Sequence, residues 1–290
     1  MRPTGLRTLG PNLVAKAEFE NPAGSHKARA ARYMIRAAIE AGEIGHGSPR
    51  RVLEKTGGNL GLGLALEAGH HQIGVDLVVG LSFSPIKRRL LERFGARLIG
   101  IDLLKSGCTP RQIVEHLVAE RSREYYFIDQ FNNLANLRAH YEETGVELAD
   151  QLAELMGAKQ RKVFLVKGIG SGASIMGIAR RLRERFDDVC VVAVEPAGCS
   201  FRENRFVDHS IEGISVGIVP PLLDLNIVDR FDPVTAQECA DAQDWLARTY
   251  GLFPGISSGA NIAVARRIAE ANPEALVATV IYDLGESYIR

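Results

Sequence analysis

Lys27 is the residue whose position most clearly indicates chemistry. It lies in NPAGSHKARA (residues 21–30), where an amphipathic helix is predicted to begin. An ammonium group is mildly unfavourable at the N-terminus of a helix, because the helix dipole favours anions there. A lysine that acts as an uncharged nucleophile would explain the placement, since a desolvated site at a helix N-terminus lowers its pKa. The sequence therefore predicts that Lys27 is nucleophilic.

Three glycine-rich turns are a second candidate feature. They are TGGNLG (56–61), GIGSGAS (168–174) and GISSGAN (255–261), and each precedes a predicted helix. Glycine lets the backbone approach a ligand closely, and the first N–H groups of a helix bind anions such as phosphate. Any one of these turns could simply connect a strand to a helix. Three of them in one chain predict an anionic ligand.

The middle turn is also compatible with a dinucleotide. GIGSGA, starting at Gly168, satisfies the pattern G-x-G-x-x-G/A, and Glu195 ends the following predicted strand as a candidate for binding ribose. A nicotinamide-dependent (NAD) dehydrogenase is therefore one hypothesis, but it assigns no role to Lys27, Asn59 or the serines of GISSG. Pyridoxal 5'-phosphate (PLP) assigns a role to all of them. This cofactor requires a lysine, a phosphate-binding loop and a partner for its ring nitrogen.

Several successive segments resemble those of the cysteine synthase and cystathionine β-synthase family, a branch of the fold type II PLP enzymes. EKTGGNLGLGLA is similar to the family's asparagine loop T-S-G-N-T-G, and GIGSGASIMG is similar to its phosphate loop G-x-G-T-G-G-T-I-x-G. The other matching segments, in chain order, are KAEFENPAGSHKARAARYMI, DQFNNLANLRAHYEETGVEL, VAVEP, IEGISVGIVPPLLD, GLFPGISSGAN and YDLGESY. The resemblance extends over nearly the whole chain, and the set in this order is specific for the family.

The resemblance implies roles for individual residues. Lys27 would form an imine with PLP and then act as acid and base at the substrate α-carbon. Asn59 would hydrogen-bond the ring hydroxyl of PLP, and Ser257 would meet its pyridine nitrogen. The phosphate would be bound by Gly170, Ser171, Gly172, Ala173 and Ser174, and the substrate carboxylate by Thr56, Gly57, Gly58, Asn59 and Gln130.

The implied reaction is a β-replacement. Serine or an O-activated serine, such as O-acetylserine, would lose its β-substituent to give an aminoacrylate, to which sulfide or another nucleophile would add. A neutral serine at the ring nitrogen would make PLP a weaker electron sink, which favours this chemistry over transamination. The alternatives are β-elimination, as in serine or threonine dehydratases, a paralogue that binds PLP without catalysis, and the dehydrogenase named above.

The substrate loop departs from the family pattern. Gly57 stands in place of the serine of T-S-G-N-T, and Leu60 in place of its second threonine. Each missing hydroxyl is expected to cost roughly 1 kcal/mol of substrate affinity, with backbone N–H groups remaining as donors. Ala28 replaces the aspartate that usually follows the lysine, and Ala173 replaces one glycine of the phosphate loop. These changes predict an altered amino donor or nucleophile.

A scaffold of strands and helices has to position these residues. Apolar, β-branched runs alternate with helical stretches, which is typical of parallel sheets covered on both faces. The pattern therefore predicts an α/β protein with two doubly wound domains, and the resemblance implies the tryptophan synthase β-like fold (fold type II) with the cofactor between them. The smaller domain is predicted at residues 30–140 and carries the asparagine loop, and the resemblance implies that it is mobile. Residues 1–29 and 141–290 are predicted to form the larger, PLP-binding domain, and the resemblance implies a homodimer.

Composition excludes several classes of protein. The 290 residues carry 35 basic and 35 acidic side chains, so no net charge favours nucleic acid or an anionic membrane. The four cysteines are scattered and the seven histidines form no metal-binding pattern, so we expect neither a metal site nor a disulfide framework. The N-terminal segment lacks the apolar run of a secretory signal, and no run is long enough to span a bilayer. The expectation is a cytoplasmic enzyme that acts on small molecules.

Overall fold

The computed structural model describes residues 2–56, 58–159 and 161–288. Its strands are β1 (Leu6–Thr8), β2 (Leu13–Ala17), β3 (Arg51–Lys55), β4 (Val75–Val78), β5 (Ala96–Leu98), β6 (Tyr125–Phe127), β7 (Val163–Gly168), β8 (Val189–Pro196), β9 (Arg230–Val234) and β10 (Leu276–Ile281). Its α-helices are α1 (Lys27–Glu40), α2 (Asn59–His70), α3 (Pro85–Arg93), α4 (Ile101–Lys105), α5 (Pro110–Glu120), α6 (Leu134–Ala139), α7 (Gly145–Met156), α8 (Ala173–Arg185), α9 (Ala236–Tyr250) and α10 (Ile256–Ala271). A π-helical turn, His140–Thr144, joins α6 to α7.

The described chain divides into two compact units. The larger contains residues 2–20 and 137–286, and the smaller contains residues 21–136 with residues 287 and 288. The smaller unit begins before α1, because this helix packs against α2 in a shared apolar core. Lys27 and Asn59 therefore belong to the same unit. The predicted domain bounds, with a smaller domain at residues 30–140, and the mobility of that domain stay predictions.

The smaller unit is built on a four-stranded parallel sheet with the order β5-β4-β3-β6. Successive side chains of a strand point to opposite faces. Val52 of β3 accordingly joins the apolar cluster of α1, α2 and α3, while Leu53 joins that of α4 and α5. Because the strands are parallel, the carboxyl ends of β3 and β6 meet at one edge of the sheet. The chain segments that carry Thr56 and Gln130 start at this edge.

The larger unit is built on a six-stranded sheet with the order β1-β2-β10-β7-β8-β9, in which the β1–β2 pair is antiparallel and the others are parallel. The central strands β10 and β7 are buried along their whole length. Val163 and Leu165 of β7 pack with α7 and α8, and Phe164 and Val166 pack with α9 and α10. Helices thus cover both faces, which confirms the predicted α/β class with two doubly wound sheets.

Most of the predicted elements are confirmed, with shifts at their ends. The apolar run LVAKAEF (13–19) predicts a strand from the sequence, and in the structure this strand ends at Ala17, because Glu18–Glu20 forms a 3-10 turn. The sequence analysis did not locate β1, β6 and β9. β1 and β6 have only three residues each, and β9 is an edge strand in which only Val234 is buried and position 233 is a proline. Within the described ranges, no helix combines the length and apolar character needed to cross a membrane.

Candidate active site

Lys27 is the first residue of α1 and is partly buried. Its backbone N–H donates to Ser25 Oγ at 3.3 Å, which satisfies one of the N–H groups that lack a helical acceptor at the start of a helix. Burial lowers the pKa of the Lys27 ammonium group to about 8, and the negative charge of Glu54 opposes part of this shift. At pH 7 about one Lys27 in ten is then uncharged, against about one in a few thousand for a lysine of ordinary pKa.

Gly63 sets the distance between the helices that begin at Lys27 and Asn59. A Cβ atom on Gly63 would lie 2.9 Å from the carbonyl oxygen of Lys27 and 3.0 Å from Cβ of Ala31. Only glycine therefore lets α2 approach α1 this closely. Asn59 precedes Gly63 by four residues, which is about one helical turn, or about 6 Å along the axis. The packing thus brings the start of α2 next to the start of α1.

The segment between β3 and α2 is the predicted carboxylate site. Thr56 follows β3 directly, Gly58 is the N-cap of α2 and Asn59 is its first residue, whereas Gly57 lies outside the described residues. The first N–H groups of this 12-residue helix have no helical acceptor and suit an anion. Leu60 is only 2% exposed and packs in the apolar core of the smaller unit. The departure from the family pattern at this position therefore adds an apolar side chain to the core.

Lys87, which was not predicted from the sequence to be a site residue, lies beside this segment. Lys87 of α3 is 4% exposed, and its Nζ would be 3.4 Å from a Cβ atom on Gly58. The same Nζ lies 3.2 Å from the ring centroid of Tyr288. Its charge adds to the positive potential at the start of α2, which favours an anionic substrate group. The sequence offered little signal, because SPIKRRLLER is a basic run of the kind that usually forms a solvated helix face.

Gln130 is held just after β6 by two contacts to its backbone. Its N–H donates to Glu54 Oε2 at 3.1 Å, and its carbonyl oxygen accepts a hydrogen bond from Asn136 Nδ2 at 2.8 Å. Glu54 is fully buried, and this burial raises the pKa of its carboxyl group to about 7. Gln130 was predicted from the sequence as a site residue, whereas Glu54 was not. The available signal was a single acidic residue inside the strand RVLEK.

In the larger unit, the predicted phosphate loop connects β7 to α8. Gly172 is the N-cap of α8 and has a φ of 81°, a left-handed conformation that favours glycine. A Cβ atom on Gly172 would lie 3.0 Å from the backbone nitrogen of Leu223, and one on Gly170 would lie 2.8 Å from the carbonyl oxygen of Gly213. The segment 213–223 thus packs directly on the loop, and side chains at these two positions would fill the space between them.

Ser171, Ala173 and Ser174 complete the predicted phosphate loop. Ser171 is 6% exposed, Ala173 is fully buried at the first position of α8, and Ser174 is partly buried. The first turn of this 13-residue helix supplies backbone N–H donors, and the two serines add hydroxyl groups. Such a set of donors suits the phosphate of PLP.

Asn261 and Tyr282 fix the last residue of β7. The N–H of Gly168 donates to Asn261 Oδ1 at 2.7 Å, and the carbonyl oxygen of Gly168 accepts a bond from the Tyr282 hydroxyl at 3.1 Å. Asn261 Nδ2 also donates to the carbonyl oxygen of Val280 at 2.9 Å. These bonds connect α10, β7 and β10 where the phosphate loop leaves the sheet. Neither Asn261 nor Tyr282 was predicted from the sequence to support the site. The one indication was Asn261 itself, a polar residue within the apolar segment ANIAVA.

Ser257 lies in the first turn of α10 and is 9% exposed. A Cβ atom on Gly213, whose φ is 93°, would lie 3.7 Å from Ser257 Oγ, so the glycine backbone borders this hydroxyl. The adjacent Ser258 has a different role, because its Oγ accepts the N–H of Tyr282 at 2.9 Å. A serine hydroxyl can donate a hydrogen bond, so Ser257 suits an unprotonated ring nitrogen.

The predicted site residues form one group in each unit. Within the smaller unit, the α1–α2 packing and Glu54 connect the segments that carry Lys27, Thr56, Gly58, Asn59 and Gln130. Within the larger unit, the segment around Gly213 contacts both Gly170 and Ser257, so the phosphate loop and the serine are neighbours.

These groups fit PLP better than a dinucleotide. PLP requires a lysine that can lose its proton, a phosphate loop rich in donors and a polar partner for its ring nitrogen, and the chain offers a candidate for each. Glu195, the ribose candidate of the dinucleotide hypothesis, instead accepts the N–H of Phe201 at 3.1 Å. Its carboxylate therefore supports the turn that follows β8.

Comparison with known proteins identifies the family. The sequence profile of the family described as pyridoxal-phosphate dependent enzyme matches residues 2–283. Cysteine synthase of Aquifex aeolicus is 34% identical over 287 residues, which cover 96% of this chain and 82% of that protein. The crystal structure of O-acetylserine dependent cystathionine β-synthase from Helicobacter pylori matches with a TM-score of 0.85 and 30% identity, covering 99% of this chain and 94% of that one. The crystal structure of O-ureido-L-serine synthase matches with a TM-score of 0.85 and 29% identity, covering 98% and 90%. The chain therefore belongs to the pyridoxal-phosphate dependent enzymes, in the fold type II family of cysteine synthase and cystathionine β-synthase.

Proposed function

We propose that this PLP-dependent enzyme catalyses β-replacement on O-acetylserine with sulfide or a related small nucleophile. The observation that carries the proposal is Lys27, a lysine with a pKa of about 8 that begins α1 and packs beside the start of α2. The names of two relatives, cysteine synthase and O-acetylserine dependent cystathionine β-synthase, support this choice of substrate. With sulfide, the net reaction exchanges the β-acetoxy group for a thiol and releases acetate.

Each group of residues has a distinct task in this reaction. Bound PLP would supply the electron sink that stabilises negative charge at the α-carbon of the amino acid. Lys27 Nζ would take the α-proton as the neutral amine and return it to the same carbon as the ammonium group. Gln130 and the first N–H groups of α2 would bind the carboxylate and so orient the Cα–H bond. Residues 170–174 would bind the phosphate, while Asn59 and Ser257 would orient the ring.

Absorption spectroscopy of the purified protein tests the proposal. We expect a near-visible band of protein-bound PLP that is lost in Lys27→Ala and shifts when O-acetylserine is added. Sulfide should then restore the original spectrum and yield cysteine in an amount equal to the acetate released. Pyruvate in place of cysteine would indicate β-elimination, and a band that no amino acid shifts would indicate PLP binding without this activity. Persistence of the band in Lys27→Ala would refute the role of Lys27.

We also propose that the enzyme is a cytoplasmic homodimer. Its four cysteines are free, which suits a reducing compartment. The homodimer follows from the resemblance to the family. Light scattering of the purified protein across a tenfold range of concentration tests it, because a mass of one chain at every concentration would contradict a dimer.

A further inference from the structure

Glu54 is a buried acidic residue to which the proposed function assigns no role. It lies in β3, two positions before Thr56, and is fully buried. Its Oε1 accepts the backbone N–H of Lys55 at 2.9 Å, and its Oε2 accepts that of Gln130 at 3.1 Å. The Glu54 carboxylate therefore contacts both Lys55, which leads into the asparagine loop, and Gln130, three residues after the end of β6.

The carboxylate continues the pairing of two strands after their backbones separate. β3 and β6 are in register as far as Leu53 and Phe127, and the N–H of Ile128 adds one more bond to the Leu53 carbonyl oxygen at 3.1 Å. Beyond this point the Glu54 side chain takes the place of the backbone acceptor for Gln130. The position of the Gln130 peptide relative to β3 thus depends on a side chain that can gain or lose a charge.

Charged groups face Glu54 from three elements. They are Lys27 of α1, Lys55 of β3 and Asp129 in the segment after β6. Lys55 and the two N–H donors favour the ionised carboxylate, whereas burial and Asp129 favour the neutral acid. Burial dominates and raises the pKa of Glu54 to about 7, below the pKa of about 8 for Lys27. A side chain whose charge changes near neutral pH therefore holds the Gln130 backbone N–H.

We propose that Glu54 is a positioning residue for the amino-acid substrate: its carboxylate fixes the Gln130 backbone relative to the segment that leads into the asparagine loop. The inference rests on the proposed function, because it concerns the groups assigned to the substrate carboxylate. Glu54 itself does not have to touch the substrate.

The variant Glu54→Gln keeps the shape of the side chain but replaces its charged carboxylate with a neutral amide. An amide has one acceptor oxygen, so it can accept only one of the two N–H bonds and presents an NH₂ group to the other. Loss of one hydrogen bond to a charged group is expected to raise KM for O-acetylserine by about 10-fold or more, with a smaller change in kcat. Removal of the negative charge should also lower the pKa of Lys27, because that charge raises it in the native protein.

Asp129→Asn is the matched control. It removes the same charge one residue before Gln130, but the Asp129 carboxylate accepts from Asn132 Nδ2 at 2.8 Å and contacts no Gln130 N–H. A second variant, Asn136→Leu, removes the hydrogen bond to the Gln130 carbonyl oxygen and leaves the Glu54 charge in place. We expect this variant to raise KM without changing the pKa of Lys27, and Asp129→Asn to change KM less than about twofold.

Two measurements test the inference on the full-length chain. The first is KM for O-acetylserine between pH 5.5 and 7.5, measured for the native enzyme and for Glu54→Gln at each pH, so that titration of the substrate amino group affects both alike. The ratio of the Glu54→Gln KM to the native KM should be about 10 or more above pH 7 and should approach one as the pH falls, because the native carboxylate is then protonated. The second is the rate at which PLP combines with the apoprotein as a function of pH. This rate should rise as Lys27 loses its proton, and the pH at half of the maximum rate should be lower in Glu54→Gln than in the native protein.

The results distinguish this inference from the proposed function. If Glu54→Gln retains the PLP band, the native KM and the native midpoint, then Glu54 has no positioning role, while the proposed function stands. Equal effects of Glu54→Gln and Asp129→Asn would also overturn the inference, because they would show that only the net charge matters. If the native protein does not shift its PLP band with O-acetylserine, the proposed function fails instead, whatever the variants do.

Discussion

Replacing Gly63 with alanine is expected to force α2 away from α1 and to disturb Lys27. The added Cβ atom would lie 2.9 Å from the Lys27 carbonyl oxygen and 3.0 Å from Cβ of Ala31, so α2 has to move by about 0.5 Å to reach an ordinary contact distance of 3.4 Å. Both neighbours are in α1, and one of them is backbone, so rotation of a side chain cannot relieve the contact. Overpacking of this kind costs about 1–3 kcal/mol.

Gly69 provides a matched control in the same helix. A Cβ atom added there meets nothing within 4 Å. Gly69→Ala should therefore stabilise the protein by up to about 1 kcal/mol, because alanine has the higher helix propensity. Gly63→Ala should gain a similar unfolding free energy from helix propensity, but the close contact with α1 should offset this gain. The difference in unfolding free energy between the two variants therefore isolates the contact, and we expect it to be about 1–3 kcal/mol.

Urea unfolding of the apoproteins, followed by circular dichroism, measures this difference. The m-value should stay constant, so that a change in midpoint reports stability. Gly63→Ala should also bind PLP more weakly than Gly69→Ala, because the shift displaces the backbone of Lys27. If Gly63→Ala is as stable as Gly69→Ala and binds PLP as tightly, the α1–α2 contact does not position Lys27 and our account of this site is wrong.

Three further predictions concern pH dependence and the phosphate loop. In apoprotein, Lys27→Met should remove a rise in unfolding free energy between about pH 8 and 10.5, because the lowered pKa means that the unfolded chain binds more protons in this window. Glu54→Gln should remove a fall in stability between pH 4.5 and about 7, because the raised pKa means that the folded chain binds more protons there. Urea titrations across each window test both, and profiles parallel to the native one would contradict them. Gly172→Ala should destabilise the protein and weaken PLP binding more than Gly251→Ala. Both glycines are in the left-handed conformation, but only the Cβ at Gly172 would meet a neighbour, the Leu223 nitrogen at 3.0 Å. Equal losses would contradict the contact.

Much of the scaffold could be predicted because it is encoded locally. The buried strands β7 and β10 are mostly apolar, and the glycine turns mark where β3 and β7 give way to α2 and α8. The position of Lys27 at the start of a helix was also visible, because the residues that follow it have helical periodicity. These features depend on neighbours within a few residues, so a single sequence contains them.

The residues that support the site could not be predicted in the same way. Glu54 and Gln130 are 76 positions apart, and Gly168 and Asn261 are 93 positions apart, so no local pattern links them. Lys87 is 4% exposed although it lies in a basic run that would ordinarily be solvated. Each of these side chains acquires its role only from the packing of elements that are distant in the sequence.

The substrate loop shows why these supporting residues matter for specificity. Gly57 has no hydroxyl, and Leu60 packs in the core, so the donors that remain at the proposed carboxylate site include the backbone N–H groups at the start of α2. A hydroxyl can rotate toward a ligand, whereas a backbone N–H points where the helix directs it. The direction of these donors therefore depends on the contact of Gly63 with α1, while the bond from Gln130 to Glu54 holds the other proposed carboxylate contact in place. We therefore expect the fit of the amino-acid carboxylate to be set less by the side chains of the loop than by the packing that positions its helix.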